Sequence, residues 1–243
     1  MPLADLAALL ADRTRAAFCL ALLDGRAWTA GELARHADVS PSTASEHLSR
    51  LVAAGLLTEE RQGRHRYVRL ADARTATLIE DLSGHPLATD STAPPESLRA
   101  SVRRSAEARA RTCYDHLAGD LGVAVADAAL ERGLVTDEAG LAVTGSGIDW
   151  LAGLGIDVGA MRGSRPVIRR CLDWTVRRPH LAGSVGAALC RRSFELGWVQ
   201  RIGTGRALRV TPDGERALQE QLGIAVAAGS GAGSGAAAGV EIR

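Results

Sequence analysis

No lysine occurs in the 243 residues: all 29 basic side chains are arginine, set against 28 acidic ones, for a net charge of +1. A chain so near neutrality is not a polycation, and any affinity for nucleic acid has to come from local patches. Aromatic residues make up 3% of the chain, so each Trp and Tyr is expected to have a definite packing or site role, and the core is built mainly from Ala, Leu and Val. There is no run of about 18 uncharged apolar residues, and the opening MPLADLAALL has no basic start and is interrupted by Asp5, with Asp12 beyond it. These features predict no signal peptide, no membrane partner and a cytoplasmic protein. Its four cysteines, Cys19, Cys113, Cys171 and Cys190, are then expected as reduced thiols unless they sense or ligate something. A nucleotide-binding glycine loop, a GxSxG elbow and an HExxH pair are all missing, and Gly145-Ser146-Gly147 is too short to cradle a phosphate. That points away from an enzyme.

What is present centres on residues 39–57, VSPSTASEHLSRLVAAGLL. Ser40 has the chemistry of a helix N-cap and Pro41 suits the first helical position, where its missing N–H costs nothing. Ala44, Leu48, Leu51 and Val52 recur at three- and four-residue spacing as one apolar stripe, and Gly55 sits where a left-handed helix stop is expected. The remaining faces carry Ser42, Thr43, Ser45, Glu46, His47 and Arg50, short or polar groups able to hydrogen-bond base edges in a major groove.

The flanks give this helix its setting. Residues 3–23 read as two short helices with a break at Asp12–Arg15, and Cys19 between Phe18 and Leu20 reads as a small core hydrophobe. Thr29-Ala30-Gly31-Glu32 has the capping-box spacing and starts a helix through Ala37. Ala37-Asp38-Val39 is a tight turn, which completes a helix-turn-helix. Downstream, Leu56–Thr58 and Tyr67–Leu70 read as strands around a basic, glycine-containing tip. Arg61, Arg64, His65 and Arg66 are placed there to meet phosphates or the minor groove.

On the helix VSPSTASEHLSRLVAAGLL and the wing EERQGRHRYVRL, residues 5–82 resemble the ArsR/SmtB family of winged-helix transcriptional repressors. The resemblance covers about a third of the chain. It implies a homodimer that binds a palindromic operator in double-stranded DNA and is released by an effector. Members that bind arsenite often carry Cys-x-Cys in the first helix of the helix-turn-helix. Here that stretch is Glu32-Leu33-Ala34-Arg35-His36, so sensing has to be sought elsewhere.

The expected fold class is mainly α with short β-hairpin wings (α+β): a winged helix-turn-helix at 1–83, a linker at 84–97 rich in Pro, Ser and Thr, and a C-terminal dimerisation or sensor domain at 98–226. Leu98–Leu121 reads as one long helix. It carries Arg99, Arg103, Arg104, Arg109 and Arg111, and Glu107 is spaced to pair with Arg103 and Arg111. An internal repeat relates 133–158 to 197–226: Gly, apolar, Val, a turn, Leu-x-Val-Thr, a helix, then Leu-Gly-Ile. Its first turn is acidic (Asp137, Glu138), whereas the second carries Arg201, Arg206 and Arg209. Residues 227–243 read as a disordered, Ala/Gly/Ser-rich tail.

Two clusters in the second half carry chemistry. Cys113-Tyr114-Asp115-His116, placed on the long helix, and Cys171-Leu172-Asp173-Trp174 with a following His180, placed on another helix, have several readings. Cys113, His116, Cys171 and His180 would suit Zn²⁺ or another thiophilic metal. Cys113 and Cys171 would serve as a thiol switch. Tyr114, Trp150 and Trp174 would line a small-molecule pocket. The plainest alternative is a set of core cysteines with histidines bonded to backbone. The best overall reading is a DNA-binding regulator whose effector is a small molecule, a metal or thiol chemistry. A winged-helix protein–protein module, or an enzyme with an accessory winged helix, is the alternative.

Overall fold

The computed structural model describes residues 2–63, 65–84, 98–203, 205–226 and 240–242. The chain divides into two compact units, 1–83 and 84–243.

The first unit begins with α1 (Leu3–Leu10) and α2 (Arg13–Leu22), separated where Asp12 caps α2 by accepting the Arg15 N–H at 2.9 Å. Buried Arg15 closes α1 from the other side by donating to the carbonyls of Leu9 and Ala8. Strand β1 (Trp28–Thr29) leads into α3 (Ala30–His36), which opens with the expected capping box: Glu32 accepts the Thr29 N–H at 2.7 Å and the Thr29 hydroxyl accepts the Glu32 N–H at 3.3 Å. Asp38, at φ +53°, makes the tight turn. Then α4 (Pro41–Ala53) runs from its Ser40 cap to Gly55, whose φ of +74° only glycine adopts without strain. Ala44, Leu48 and Leu51 are fully buried against α2 and α3. The wing is β2 (Leu57–Gln62) and β3 (His65–Leu70), antiparallel with Gln62 opposite His65, and β1 adds to β3 as a third strand. The unit closes with α5 (Ala73–Gly84).

The second unit is a twofold repetition that starts earlier than the sequence pattern indicates. The long helix expected at Leu98–Leu121 ends at Arg109 as α6 (Leu98–Arg109). A hairpin follows, β4 (Arg111–Cys113) and β5 (His116–Ala118), and then α7 (Gly119–Glu131). The reason is local. Thr112 favours extended backbone, Tyr114 turns the chain at φ +53°, and Gly119 sits at φ +74° with a Cβ position 2.5 Å from the Ala108 carbonyl oxygen, so no helix passes through it. Arg111 is accordingly not part of an exposed helical stripe paired with the Glu107 carboxylate. It is wholly buried and donates to the Glu107 backbone carbonyl. The side chains of Arg99, Arg103 and Arg104 lie outside those described. The helix expected around Cys171 is likewise a hairpin, β8 (Arg169–Leu172) with β9 (Pro179–Ala182), which leads into α9 (Gly183–Glu195).

Each hairpin–helix pair is followed by a small wing and a second helix: β6 (Val135–Thr136), β7 (Ala142–Val143) and α8 (Gly145–Gly153) in the first half, and β10 (Val199–Arg201), β11 (Leu208–Val210) and α10 (Pro212–Leu222) in the second. The repeated Leu-x-Val-Thr has a physical basis. Thr144 and Thr211 each cap a helix by accepting the N–H three residues on, and each donates its hydroxyl to the carbonyl of a Gly before the wing. Gly145-Ser146-Gly147 is therefore the first turn of α8 rather than a free turn. The basic second wing is docked: Thr112 N–H donates to the Arg206 carbonyl and Leu208 N–H to that of Ala110. Strand β12 (Ile224–Val226) pairs antiparallel with β13 (Val240–Ile242), so the end of the expected tail is a strand, consistent with the β-branched Val-Glu-Ile sequence. Residues 85–97 of the expected linker and 227–239 of the expected tail lie outside the described residues.

The two halves cross. Helix α7 packs on β9 of the other hairpin and α9 on β5. The crossing requires glycine. A Cβ on Gly122 would lie 2.4 Å from the Leu117 carbonyl oxygen and 3.5 Å from the His180 Cβ, and one on Gly186 2.6 Å from the Leu181 oxygen and 3.3 Å from the His116 Cβ. Gly186→Ala is expected to destabilise the second unit by about 1–3 kcal/mol in urea unfolding. Gly153→Ala, where a Cβ meets nothing within 4 Å, is expected to be neutral or slightly stabilising. In the first unit, the Thr29 donors hold the Glu32 carboxyl below its usual value. A depressed folded value means that this stabilisation is present above the ordinary carboxylate range and fades as pH falls through the depressed value. Glu32→Gln should flatten that acid limb of the thermal stability profile, and Thr29→Ala should cost about 1 kcal/mol.

Candidate functional site

Helix α4 offers one polar face. Ser42, Ser45, Glu46, Ser49 and Arg50 are exposed. Ser40 Oγ lies 2.8 Å from both Ser42 Oγ and Thr43 Oγ1, so the hydroxyls at the helix start form a connected group. Arg50 pairs with Glu46 at 2.6 Å one turn away. His47 differs from its expected place among the exposed readers. Its side chain is only 16% exposed, with Nδ1 3.2 Å from Arg15 Nη1 and 3.7 Å from Asp12 Oδ1. It fastens α4 to the start of α2. In the wing, Arg61 and His65 are exposed, and Arg66 binds Glu59 and reaches Ser49 Oγ of α4 at 3.3 Å. Arg64 lies outside the described residues. Arginines and hydroxyls thus lie along one helix face and the adjoining strand pair.

The second unit holds a different site. In β4–β5, Cys113 is directly opposite His116 across a two-residue turn whose Tyr114 has φ +53°. In β8–β9, Cys171 is directly opposite His180. The hairpins meet, and one ligand atom from each of these four residues lies within 4.8 Å of all the others. All four side chains are buried, at 4%, 1%, 2% and 0% exposure in chain order. The imidazoles converge through Nε2, 3.1 Å apart. Their Nδ1 atoms point outward: that of His116 lies 3.3 Å from Asp115 in hydrogen-bond contact, whereas that of His180 lies 3.5 Å from Asp173 and makes no hydrogen bond.

Charges around the cluster are paired. Asp173 accepts from Arg111 at 2.8 Å, the Gly119 N–H at 2.7 Å, the Thr175 N–H and hydroxyl at 2.9 and 2.6 Å, and the Val176 N–H at 3.0 Å. Burial alone would raise its carboxyl, but the Arg111 charge and these donors hold it well below the usual carboxylate range. Burial alone would raise the partly buried Asp115, but Arg165, which binds it through both terminal nitrogens, and His116 hold it down at about 2. The hydrogen bond with Cys171 and then burial push the Cys113 thiol up to about 12, and burial and then the neighbouring His116 hold His180 down to about 3. Cys19 and Cys190, pushed up by burial to about 11 and about 12, belong to the hydrophobic cores.

Tyr114 is in the β4–β5 turn. Trp150 on α8 donates to Gln221 of α10 at 3.1 Å, and Trp174 stacks on Arg111 with 4.8 Å from guanidinium carbon to ring centroid. A cleft in the described residues lies between Ile156, Asp157, Met161 and the Arg191, Arg192, Glu195 end of α9. What the periodicity of the sequence hides is visible in a second pattern: His-Leu-Ala-Gly occurs at 116–119 and again at 180–183, each preceded by a Cys.

Residues 10–60 match a helix-turn-helix domain family. The chain is 40% identical over 226 residues to the uncharacterized HTH-type transcriptional regulator YdfF of Bacillus subtilis, which covers 92% of this chain and 98% of that protein. It belongs to the ArsR-type winged helix-turn-helix transcriptional regulators. The HTH-type transcriptional regulator CmtR of Mycobacterium tuberculosis is 37% identical over 105 residues, 43% of this chain and 88% of that protein. The solved cadmium metal-sensor CMTR from M. tuberculosis aligns at 38% identity over 40% of this chain and 100% of that one, with a TM-score of 0.31. The relatives are named as regulators, which points away from enzymatic activity, and no described helix is long and apolar enough to cross a membrane. As a member of this family the chain is a DNA-binding transcriptional regulator.

The buried Arg111–Asp173 pair gives a direct stability test. Asp173→Asn leaves the guanidinium buried with its counter-charge gone, and a loss of about 3–5 kcal/mol is expected in urea unfolding. Asp213→Asn, which breaks an exposed pair on α10, is expected to change stability by less than about 1 kcal/mol.

Proposed function

We propose that the protein is a cytoplasmic, homodimeric repressor that binds a palindromic operator through α4 and the wing, and that the second unit supplies dimerisation and the response to an effector. The observation that supports it is the division of labour on α4. Ala44, Leu48 and Leu51 are consumed by the core, while Ser42, Ser45, Glu46 and Arg50 stay exposed beside a wing carrying Arg61, His65 and Arg66. In this reading Ser42, Thr43, Ser45 and Arg50 contact base edges, with Glu46 holding Arg50 in place. The wing residues Arg61, Arg64, His65 and Arg66 contact phosphate or the minor groove. His47 acts as a positioning residue, through its contacts with Arg15 and Asp12. Release of such a repressor requires an effector with different affinity for two states of the chain. A small molecule, a metal ion and thiol chemistry each meet that condition in principle.

The test is a binding series on DNA from the protein's own promoter region, with salt varied. Arg61→Ala and Arg66→Ala are expected to weaken binding to all sequences and to lower the salt slope by about one each. Ser45→Ala and Arg50→Ala are expected to shift preference among sequences by about 1–3 kcal/mol at the affected base pair. A folded dimer that binds none of the DNA sequences offered would overturn the repressor reading in favour of a protein–protein module.

A further inference from the structure

Buried cysteines and histidines can be inert core groups, and the question is whether this cluster has the geometry of filler. It does not. Each hairpin contributes one Cys and one His from directly opposed positions, and the crossed packing of α7 and α9 brings the two hairpins face to face. Four donor atoms, two sulfur and two nitrogen, converge within 4.8 Å. We propose that Cys113, His116, Cys171 and His180 form a closed, four-coordinate centre for a Zn²⁺-class ion, which ties the two halves of the second unit together.

Three features carry this beyond proximity. The first is the direction of the imidazoles. The Nδ1 of His116 is hydrogen-bonded with Asp115, the Nδ1 of His180 lies 3.5 Å from Asp173 without a hydrogen bond, and both Nε2 atoms face inward, 3.1 Å apart. A carboxylate behind a histidine fixes the Nδ1–H tautomer and leaves the Nε2 lone pair for an ion, the outer-sphere arrangement of metal-bound histidines. If both rings adopt that tautomer, two lone pairs point at one another in a dry site unless a cation lies between them. The second is distance. With Zn–S near 2.3 Å and Zn–N near 2.0–2.1 Å, tetrahedral ligand atoms stand about 3.3–3.8 Å apart. The observed spread of up to 4.8 Å exceeds that by about 1 Å, within the reach of a rotamer adjustment of a cysteine or histidine side chain. The third is charge. Two thiolates and two neutral imidazoles around a divalent cation sum to zero, and the surrounding Arg111–Asp173 and Arg165–Asp115 pairs are already self-compensated. The burial of such a centre leaves no net charge in the core.

The donor set and the burial also define the class. Two sulfurs and two imidazole nitrogens in tetrahedral array suit Zn²⁺ or a softer thiophilic ion and suit Mg²⁺ or Ca²⁺ poorly. Four protein ligands, all nine-tenths or more buried, fill the coordination sphere and leave no open position for a substrate. The centre is a clasp between hairpins and not a catalytic metal. The helix-turn-helix unit takes no part in it, so its presence or absence is read separately from any DNA-binding result.

The full-length chain, purified under reducing conditions, is expected to carry close to one Zn²⁺ per chain by elemental analysis. After chelation it is expected to bind Co²⁺ with a thiolate charge-transfer band in the near ultraviolet and the intense visible ligand-field bands of a tetrahedral site. Cys113→Ser and Cys171→Ser should each remove about half of the charge-transfer intensity and weaken binding more than the 10–100-fold typical of outer-sphere changes. Cys19→Ser and Cys190→Ser should leave the spectrum unchanged. If a serine variant fails to fold, the charge-transfer intensity of the unaltered chain still counts its thiolate ligands, and a count of two supports the assignment. A folded, reduced chain that retains no metal and gives no thiolate–Co²⁺ band overturns it. So does peptide mapping that finds Cys113 and Cys171 joined as a disulfide in freshly isolated protein, which would make the pair a thiol switch.

Discussion

One carboxylate organises the second unit. Asp173 is wholly buried, yet it accepts hydrogen bonds from a guanidinium on β4, from the first N–H of α7 and from its own loop, and it stands behind the His180 ring. These partners come from both halves of the repeat. An ionised group in such a place is tolerated only because every direction is met by a donor or a positive charge. Removing the guanidinium leaves a buried carboxylate with hydrogen-bond donors but no counter-charge. The position of Arg111, the start of α7 and the outward face of His180 therefore form one linked choice rather than three separate ones.

The crossing of the halves imposes a second constraint, and it acts through atoms that are missing. Gly122 lies under His180 and Gly186 under His116, at distances that would put a Cβ against the Leu117 and Leu181 carbonyls. The two glycines are equivalent in the repeat, as are the two His-Leu-Ala-Gly segments, so the cluster sits where the halves mirror each other. The symmetry breaks at the turns. The first hairpin closes in two residues and supplies Asp115 next to His116, whereas the second closes through a longer loop and supplies Asp173 two residues after Cys171. Each histidine still finds a carboxylate behind it, reached by a different route. Two unlike loops arriving at the same local chemistry is what an arrangement serving both rings would produce.

Sequence patterning was a good guide where one element had one environment. The α4 stripe, the Ser40 and Thr29 caps and the Gly55 stop were all readable, because apolar periodicity and cap chemistry are local. Patterning failed around Cys113 and Cys171. The segment leading into Cys113 is rich in Ala and Arg, both good helix formers, and Ala is equally at home in a core and on a surface, so the helical period continues in the sequence past Arg109, where the helix ends. Chemistry alone still groups the four donor residues, although their spacing suggests helices where the structure has paired strands. His47 shows the opposite error. On a helical wheel it belongs to the polar face, but only the tertiary contact with Arg15 and Asp12 reveals that this part of the face is covered.

The two units thus rest on different kinds of argument. The winged helix is shared with short regulators such as CmtR, matched over 43% of the chain, whereas the likeness to YdfF runs over 92% and so takes in the second unit as well. A winged helix attached to different partners carries DNA binding from one regulator to the next, but it does not carry the effector, because a site's chemistry belongs to the side chains that build it and not to the fold beside it. The helix α3, where Cys-x-Cys would be sought by resemblance, holds Glu32 in its capping box and His36 against Trp28. The thiols and imidazoles of this chain converge elsewhere, between hairpins that the winged helix does not contain.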